Sequence, residues 1–156
     1  MKILVLSDSH GAVDCLEAAV EREKPDFILH LGDHIRDAQK LQQRYFYIPQ
    51  AAVVGNCDFG APGPAQYIDL WDGVRIFACH GHRYNVKQSL LPLYYAAQEQ
   101  GADVCLFGHT HRALCETEHG ILLLNPGACG GRQPRYAVLT IENGKPVGVL
   151  RTLAAN

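Results

Sequence analysis

The chain has 156 residues, 47% of them hydrophobic, with 14 basic and 16 acidic side chains and a formal net charge of −2. That length suits one domain with a real core, read here as a single domain over 1–156. The slight acidity excludes a general nucleic-acid binder, which carries a basic face, and no apolar stretch reaches the length of a membrane span.

The opening run, residues 2–7 (KILVLS), reads as a buried central strand. It is too short for the apolar core of a signal peptide and passes directly into Ser7-Asp8-Ser9-His10, so a cytoplasmic protein is expected. Residues 12–23 place Val13, Leu16, Ala19 and Val20 at helical spacing and stop before Pro25. A second strand is expected over 26–31, a short amphipathic helix over 36–44, and two short strands, 45–48 and 52–54, on either side of Pro49. This βαβα order points to a parallel sheet with right-handed crossovers.

Residues 60–65 (GAPGPA) read as a loop. Strands over 67–71 and 74–79 flank Asp72-Gly73, a pair suited to a type I′ hairpin turn. A helix over 87–100 is expected to break or kink near Pro92. A strand over 104–107 follows, and then strands near 113–118, 121–124, 136–142 and 146–152, with His119-Gly120 and Asn143-Gly144 as turns. An α/β front half followed by a β-rich back half suggests two packed sheets with helices outside.

Six cysteines (15, 57, 79, 105, 115 and 129) include no CxxC pair. Cys15, Cys79 and Cys105 lie in apolar runs, where a thiol behaves as a small hydrophobe, so reduced cysteines are expected.

The chemistry is concentrated in short motifs where strands give way to loops. These are Asp8-Ser9-His10, Gly32-Asp33, Gly55-Asn56-Cys57-Asp58, His80-Gly81-His82 and Gly108-His109-Thr110-His111. Residues i and i+2 of an extended segment point the same way, so Asp8 with His10, and His109 with His111, can each reach one ion. Asp33 follows a strand across a glycine, and His80 closes another. All lie at carboxyl ends of expected strands, where open α/β sheets place their sites. Carboxylate and imidazole without thiolate suit Mn²⁺, Fe, Zn²⁺, Ni²⁺ or Co²⁺ better than Mg²⁺ or Ca²⁺. Asn56 adds a neutral oxygen. Two ions about 3.5–4 Å apart are the arrangement used for in-line phosphoryl displacement.

Asp-x-His, Gly-Asp, Gly-Asn-x-Asp, His and Gly-His-x-His in this order resemble the calcineurin-like metallophosphoesterase superfamily. Asn125-Pro126-Gly127 and residues 135–139 (RYAVL) resemble its small bacterial and archaeal phosphodiesterase branch, so the likeness runs from residue 3 to about 142. The resemblance implies an α/β fold of the αββα sandwich type, with two mainly mixed sheets flanked by helices. It implies one metal on Asp8, His10, Asp33 and His111, and a second on Asp33, Asn56, His80 and His109, with Asp33 bridging. Manganese is the expected metal. A metal-bridging hydroxide would attack small phosphodiesters, with Asn56 helping to fix the geometry.

One position departs from the family pattern. Many members carry histidine after the motif asparagine, where it is thought to protonate the leaving group, and this chain has Cys57. A thiol with an unperturbed pKa near 8.5 is a poor substitute, so good leaving groups are expected to be favoured. His82 is the nearest replacement acid or phosphate donor, although an ordinary loop histidine explains it equally well. His30 reads as a satisfied core or interface histidine, and His34 and Asp37 as neighbours that shape the site without ligating. Arg83, Arg132 and Arg135 could bind substrate phosphate, although a solvated surface arginine is the better reading of each. Three rival functions remain: a phosphomonoesterase or protein phosphatase on the same site, a non-catalytic scaffold like the retromer subunit of this fold, and a nuclease. A homodimer is left open.

Overall fold

Every residue from Ile3 to Leu6 is fully buried, and alternate side chains serve different layers. The structure is a computed structural model that describes residues 1–153, so the last three residues of the expected 1–156 domain lie outside the described residues. β1 (Lys2–Leu6) turns Ile3 and Val5 toward the opposing sheet, and Leu4 and Leu6 toward the covering helices. That two-sided burial explains its continuous apolar run.

β1 pairs in parallel with β2 (Phe27–His30), and β2 in parallel with β3 (Gln50–Ala52). On the other side it pairs antiparallel with β9 (Arg135–Glu142), which pairs antiparallel with β10 (Lys145–Thr152). The first sheet therefore has the order β10-β9-β1-β2-β3. The second has the order β4-β5-β6-β8-β7 and comprises β4 (Gln66–Trp71), β5 (Val74–Cys79), β6 (Val104–Leu106), β7 (Leu114–Glu118) and β8 (Ile121–Asn125). Both sheets are mixed, and β9 and β10 from the back half complete the first. The two halves of the chain are interleaved between the layers.

Three apolar layers hold the sandwich. Val5, Leu29, Ile76, Leu106, Leu124 and Leu139 belong to the core between the sheets. Leu16, Ala19 and Val20 of α1 (Val13–Glu23) and Leu41 of α2 (Ile35–Arg44) cover the first sheet. Leu93, Tyr94 and Ala97 of α3 (Leu91–Glu99) cover Phe77, Cys105 and Leu123 on the second. The αββα architecture is as expected.

The three hairpin turns have positive φ at both central residues, as a type I′ turn requires: Asp72 and Gly73, His119 and Gly120, Asn143 and Gly144. The Gly144 N–H donates to the Asp72 carboxylate at 2.7 Å and so ties a turn of one sheet to a turn of the other.

Two elements differ from the sequence reading. Residues 45–48 form turns, with Tyr45 buried and Ile48 packed against the layer under α1 and α2, and the following strand is Gln50–Ala52. The apolar side chains there serve a helix-to-strand connection. The helix expected over 87–100 begins at Leu91 and places Pro92 in its first turn, so it is not kinked. A first-turn proline lacks an N–H that would have no partner in any case. The thiols of all six cysteines are free. Among the described residues no helix is long and apolar enough to cross a membrane.

Candidate metal centre

The candidate ligands gather where β1, β2, β3, β5 and β6 end, at one edge of the sandwich. Two groups form. Asp8, His10 and His111 make one and Asp33, His80 and His109 the other, each with ligand atoms within 4.8 Å of one another. Asp33 lies between them: its Oδ2 is 3.4 Å from His80 Nε2 and 4.0 Å from His10 Nε2. Asn56 Oδ1 is 3.0 Å from His80 Nε2, which puts the amide oxygen beside the second group.

Of the pairs at i and i+2, Asp8 and His10 share a group, but His109 and His111 do not reach one ion as expected and fall in different groups, because the backbone there is not extended. Asp8, His10, His109 and His111 all have φ between 45° and 70°, as do Asp33 and His34. Left-handed backbone is costly for side chains with a Cβ, and such conformations gather at functional sites. Glycines make the crowding feasible. A Cβ on Gly55 would collide with the Asp33 carboxylate, and one on Gly108 with the Ser7 hydroxyl and the Asp8 carboxylate. This explains why Gly precedes Asn56 and His109.

Hydrogen bonds aim the candidate ligands. His80 Nδ1 donates to the Leu31 carbonyl at 2.8 Å, leaving Nε2 toward Asp33 and Asn56. Asp8 Oδ2 accepts from the Ser7 hydroxyl at 2.6 Å and from the His109 N–H at 3.1 Å. Asp33 Oδ1 accepts from the Cys57 N–H at 2.9 Å. Such supporting contacts orient ligands and tune their basicity.

Asp8 Oδ1 is buried with no hydrogen-bond partner, yet three imidazole Nε2 atoms face it: His111 at 3.2 Å, His80 at 3.8 Å and His10 at 4.0 Å. A buried carboxylate oxygen left in this way is costly unless a cation sits against it. Among the described residues, the ion-pair partners of Asp8 and Asp33 are all imidazoles. Burial raises the Asp33 pKa, but the His80 and Cys57 hydrogen bonds outweigh it and hold the carboxyl well below the usual range. Burial lowers the His80 pKa, and Asp33 and Asp8 together overcome that and raise it. The cavity therefore favours positive charge, and its oxygen and imidazole donors fit divalent cations.

His82 is drawn to the rim, its ring 5.4 Å from His80 and 6.2 Å from His109. Burial, then the His80 and Arg83 charges, push its pKa down. Cys57 is exposed beside Asn56, and burial followed by the Asp33 charge raises its thiol. His30 is a satisfied core histidine, with Nε2 at 2.9 Å from the Ser9 hydroxyl and Nδ1 accepting from the Gly32 N–H. Asp37 accepts from the Ser9 hydroxyl and the Gly11 N–H, both at 2.7 Å, and so shapes the loop carrying His10. The ring of His34 is 5.5 Å from that of His10. Arg83 and Arg132 are exposed, and Arg135 is half-buried.

The sequence reading gave no role to Asp58 or Asn125. Asp58 binds four backbone N–H groups around the site. Asn125 Nδ2 donates to the Gly108 carbonyl and to Thr110 Oγ1, each at 3.1 Å, and pins the loop between His109 and His111. The signal for Asp58 was its place in a Gly-Asn-x-Asp turn, where Asx side chains bind nearby backbone.

An αββα sandwich with two imidazole–carboxylate groups at its strand ends defines a metallohydrolase. Residues 1–144 match the calcineurin-like phosphoesterase superfamily domain. The chain belongs to that family. It is 39% identical over 152 residues to the probable metallophosphoesterase YsnB of Bacillus subtilis, covering 92% of this chain and 86% of YsnB. It is 28% identical over 168 residues to the phosphodiesterase YfcE of Escherichia coli K12, covering 89% and 87%. A crystal structure of a predicted phosphoesterase from Streptococcus pneumoniae superposes with a TM-score of 0.80 at 30% identity, covering 97% of this chain and 88% of that one. The protein is thus a metal-dependent phosphoesterase.

Proposed function

We propose that the protein is a phosphodiesterase for small phosphodiesters. Asp8, His10, Asp33 and His111 would hold one divalent cation, and Asp33, Asn56, His80 and His109 a second. The observation that carries this reading is the buried Asp8 Oδ1, without a hydrogen bond and faced by three imidazoles, with Asp33 reaching both groups. When bound, the cations supply Lewis acidity, which lowers the pKa of a water and neutralises charge on the phosphoryl oxygens.

The chain's own residues set the positions. The Leu31 carbonyl fixes the His80 ring, and the Cys57 N–H and Ser7 hydroxyl fix the two carboxylates. Asn56 places a neutral oxygen beside His80 without cancelling positive charge. Cys57 and His82 are the protic side chains at the rim that could serve the leaving oxygen. The phosphodiester preference draws on the likeness to YfcE. Manganese is our choice among Mn, Fe, Zn, Ni and Co, since imidazole and carboxylate suit all five. Six free thiols support a reducing, cytoplasmic setting.

The test is hydrolysis of bis(p-nitrophenyl) phosphate and p-nitrophenyl phosphate by metal-stripped protein after Mn²⁺ is restored, with His109→Ala alongside. Diester turnover that needs Mn²⁺, exceeds monoester turnover and disappears in the variant supports the proposal. Faster monoester cleavage would make the protein a phosphomonoesterase. Bound Mn²⁺ with no turnover of either ester would favour a scaffold.

A further inference from the structure

A groove of about 550 Å³ opens beside the segment that carries His109 and His111, and its walls are not among the candidate metal ligands. Its apolar lining comes from Val86 and Leu90 before α3, Phe107 after β6 and Leu114 at the start of β7. Phe107 and Val86 are buried, so they form a firm floor. Lys87 and Arg112 are exposed cations on the same lining, and no carboxylate is among the lining residues. This contrasts with a chain whose net charge is −2.

Thr110 belongs to the segment that the groove shares with two candidate ligands. It lines the groove and lies between His109 and His111 in the chain. Its hydroxyl oxygen accepts from Asn125 Nδ2 and from the Arg112 N–H, each at 3.1 Å. The wall nearest the histidines is therefore held from β8 before any ligand arrives. The Lys87 charge also acts on the His109 ring.

Resting on the phosphodiesterase reading, we propose that this groove receives one ester arm of the substrate, and that the arm has an apolar body and carries a second anion. The volume suits a small organic ligand, since pockets for such ligands run to about 300–1,000 Å³. The apolar floor would take the body of the arm. Lys87 and Arg112 would take the charge, the guanidinium by paired hydrogen bonds and the ammonium as a mobile point charge. A diester with two neutral arms would use the floor alone.

The test compares two chromogenic diesters under Mn²⁺: thymidine 5′-(p-nitrophenyl phosphate) and its analogue bearing a 3′-phosphate. The wild type should show at least a tenfold higher kcat/KM on the 3′-phosphorylated ester, mainly through KM. In Lys87→Gln/Arg112→Gln the ratio should fall to near one. Calorimetry of metal-free protein with thymidine 3′,5′-bisphosphate gives a second readout, and the double substitution should weaken that binding at least tenfold. An unchanged ratio in the variant, or a wild-type preference for the neutral arm, overturns the proposal. Bisphosphate binding that needs Lys87 and Arg112, with neither ester cleaved, supports the groove and overturns the phosphodiesterase reading.

Discussion

The Asp58 carboxylate accepts the backbone N–H of Asp33 at 3.0 Å, and so the residue that reaches both candidate metal-binding groups is positioned by a residue in neither. The same carboxylate accepts from Gly55 and His34 at 2.8 Å and from Ile35 at 2.9 Å. One side chain therefore caps the start of α2 and joins the Asp33 loop to the Asn56 loop. Asp58→Ala leaves four N–H groups without their acceptor. The expected loss is about 2–4 kcal/mol of stability, with metal affinity falling about 10–100-fold. Urea unfolding and Mn²⁺ titration of the variant measure the two effects, and unchanged affinity would remove Asp58 from any positioning role.

Asp8 offers a test of the metal reading that does not depend on turnover. A cation bound only by the folded state stabilises it by about 2.7 kcal/mol at one hundred times its dissociation constant. Asp8→Asn keeps the size of the side chain but removes the charge from the oxygen that three imidazoles face. The metal-free variant should be at least as stable as the metal-free wild type, while its gain on adding Mn²⁺ should fall below about 1 kcal/mol. Urea midpoints with and without Mn²⁺ decide this. A variant that keeps the full gain shows that Asp8 holds no metal.

Much of the fold was legible because the signals were local. β1 is apolar on both faces because both of its faces are covered, and the three hairpins carry residues that tolerate positive φ. The turns at 45–48 and the start of α3 were not legible, because packing there uses apolar side chains outside regular elements. The grouping of Asp8 with His111 and of Asp33 with His109 depends on contacts across 103 and 76 positions (111 − 8 and 109 − 33), which family resemblance could suggest but local pattern could not. The extended-strand argument put Asp8 and His10 together, as the structure does, but also put His109 and His111 on one ion, and the structure divides those two between the groups. Left-handed backbone turns those side chains inward, and the neighbouring glycines that permit it look like ordinary turn residues until Asp33 and Ser7 are seen against them.

His30 predicts a pH dependence of stability. It is fully buried, and burial pushes its pKa down to about 4, with Asp37, Asp8 and Asp58 opposing that shift. The unfolded chain carries this histidine near 6.5, so between about pH 6.5 and 4 the unfolded state binds more protons. Stability should fall as pH falls through that window, by roughly 3 kcal/mol in all, and this contribution is flat above and below it. His80, with its raised pKa, has the opposite sign: its contribution is lost as pH rises. Comparison with His30→Gln cancels that term because both proteins retain His80. Urea midpoints of the two metal-free proteins at pH 7.5 and 4.5 should diverge, the wild type losing more. Parallel losses would show that His30 is not held neutral.

Cys57 marks a limit on the leaving group. It is exposed beside Asn56, and its N–H donates to Asp33. Burial and the Asp33 charge raise its thiol pKa, so the group stays protonated at neutral pH and is a weak acid there. A histidine at this position would meet the same Asp33 charge, which favours imidazolium and keeps a proton available near pH 7. Cys57→His should therefore raise kcat/KM about 100-fold for a diester with an alkyl leaving group, the lower part of what a matched general acid supplies. It should change little for p-nitrophenolate, which departs without a proton. The decisive quantity is the ratio of the two rates in variant and wild type under Mn²⁺. An equal response of both esters would mean that position 57 acts on metal binding or substrate position, and that proton delivery to the leaving oxygen comes from elsewhere at the rim, with His82 the next residue to replace.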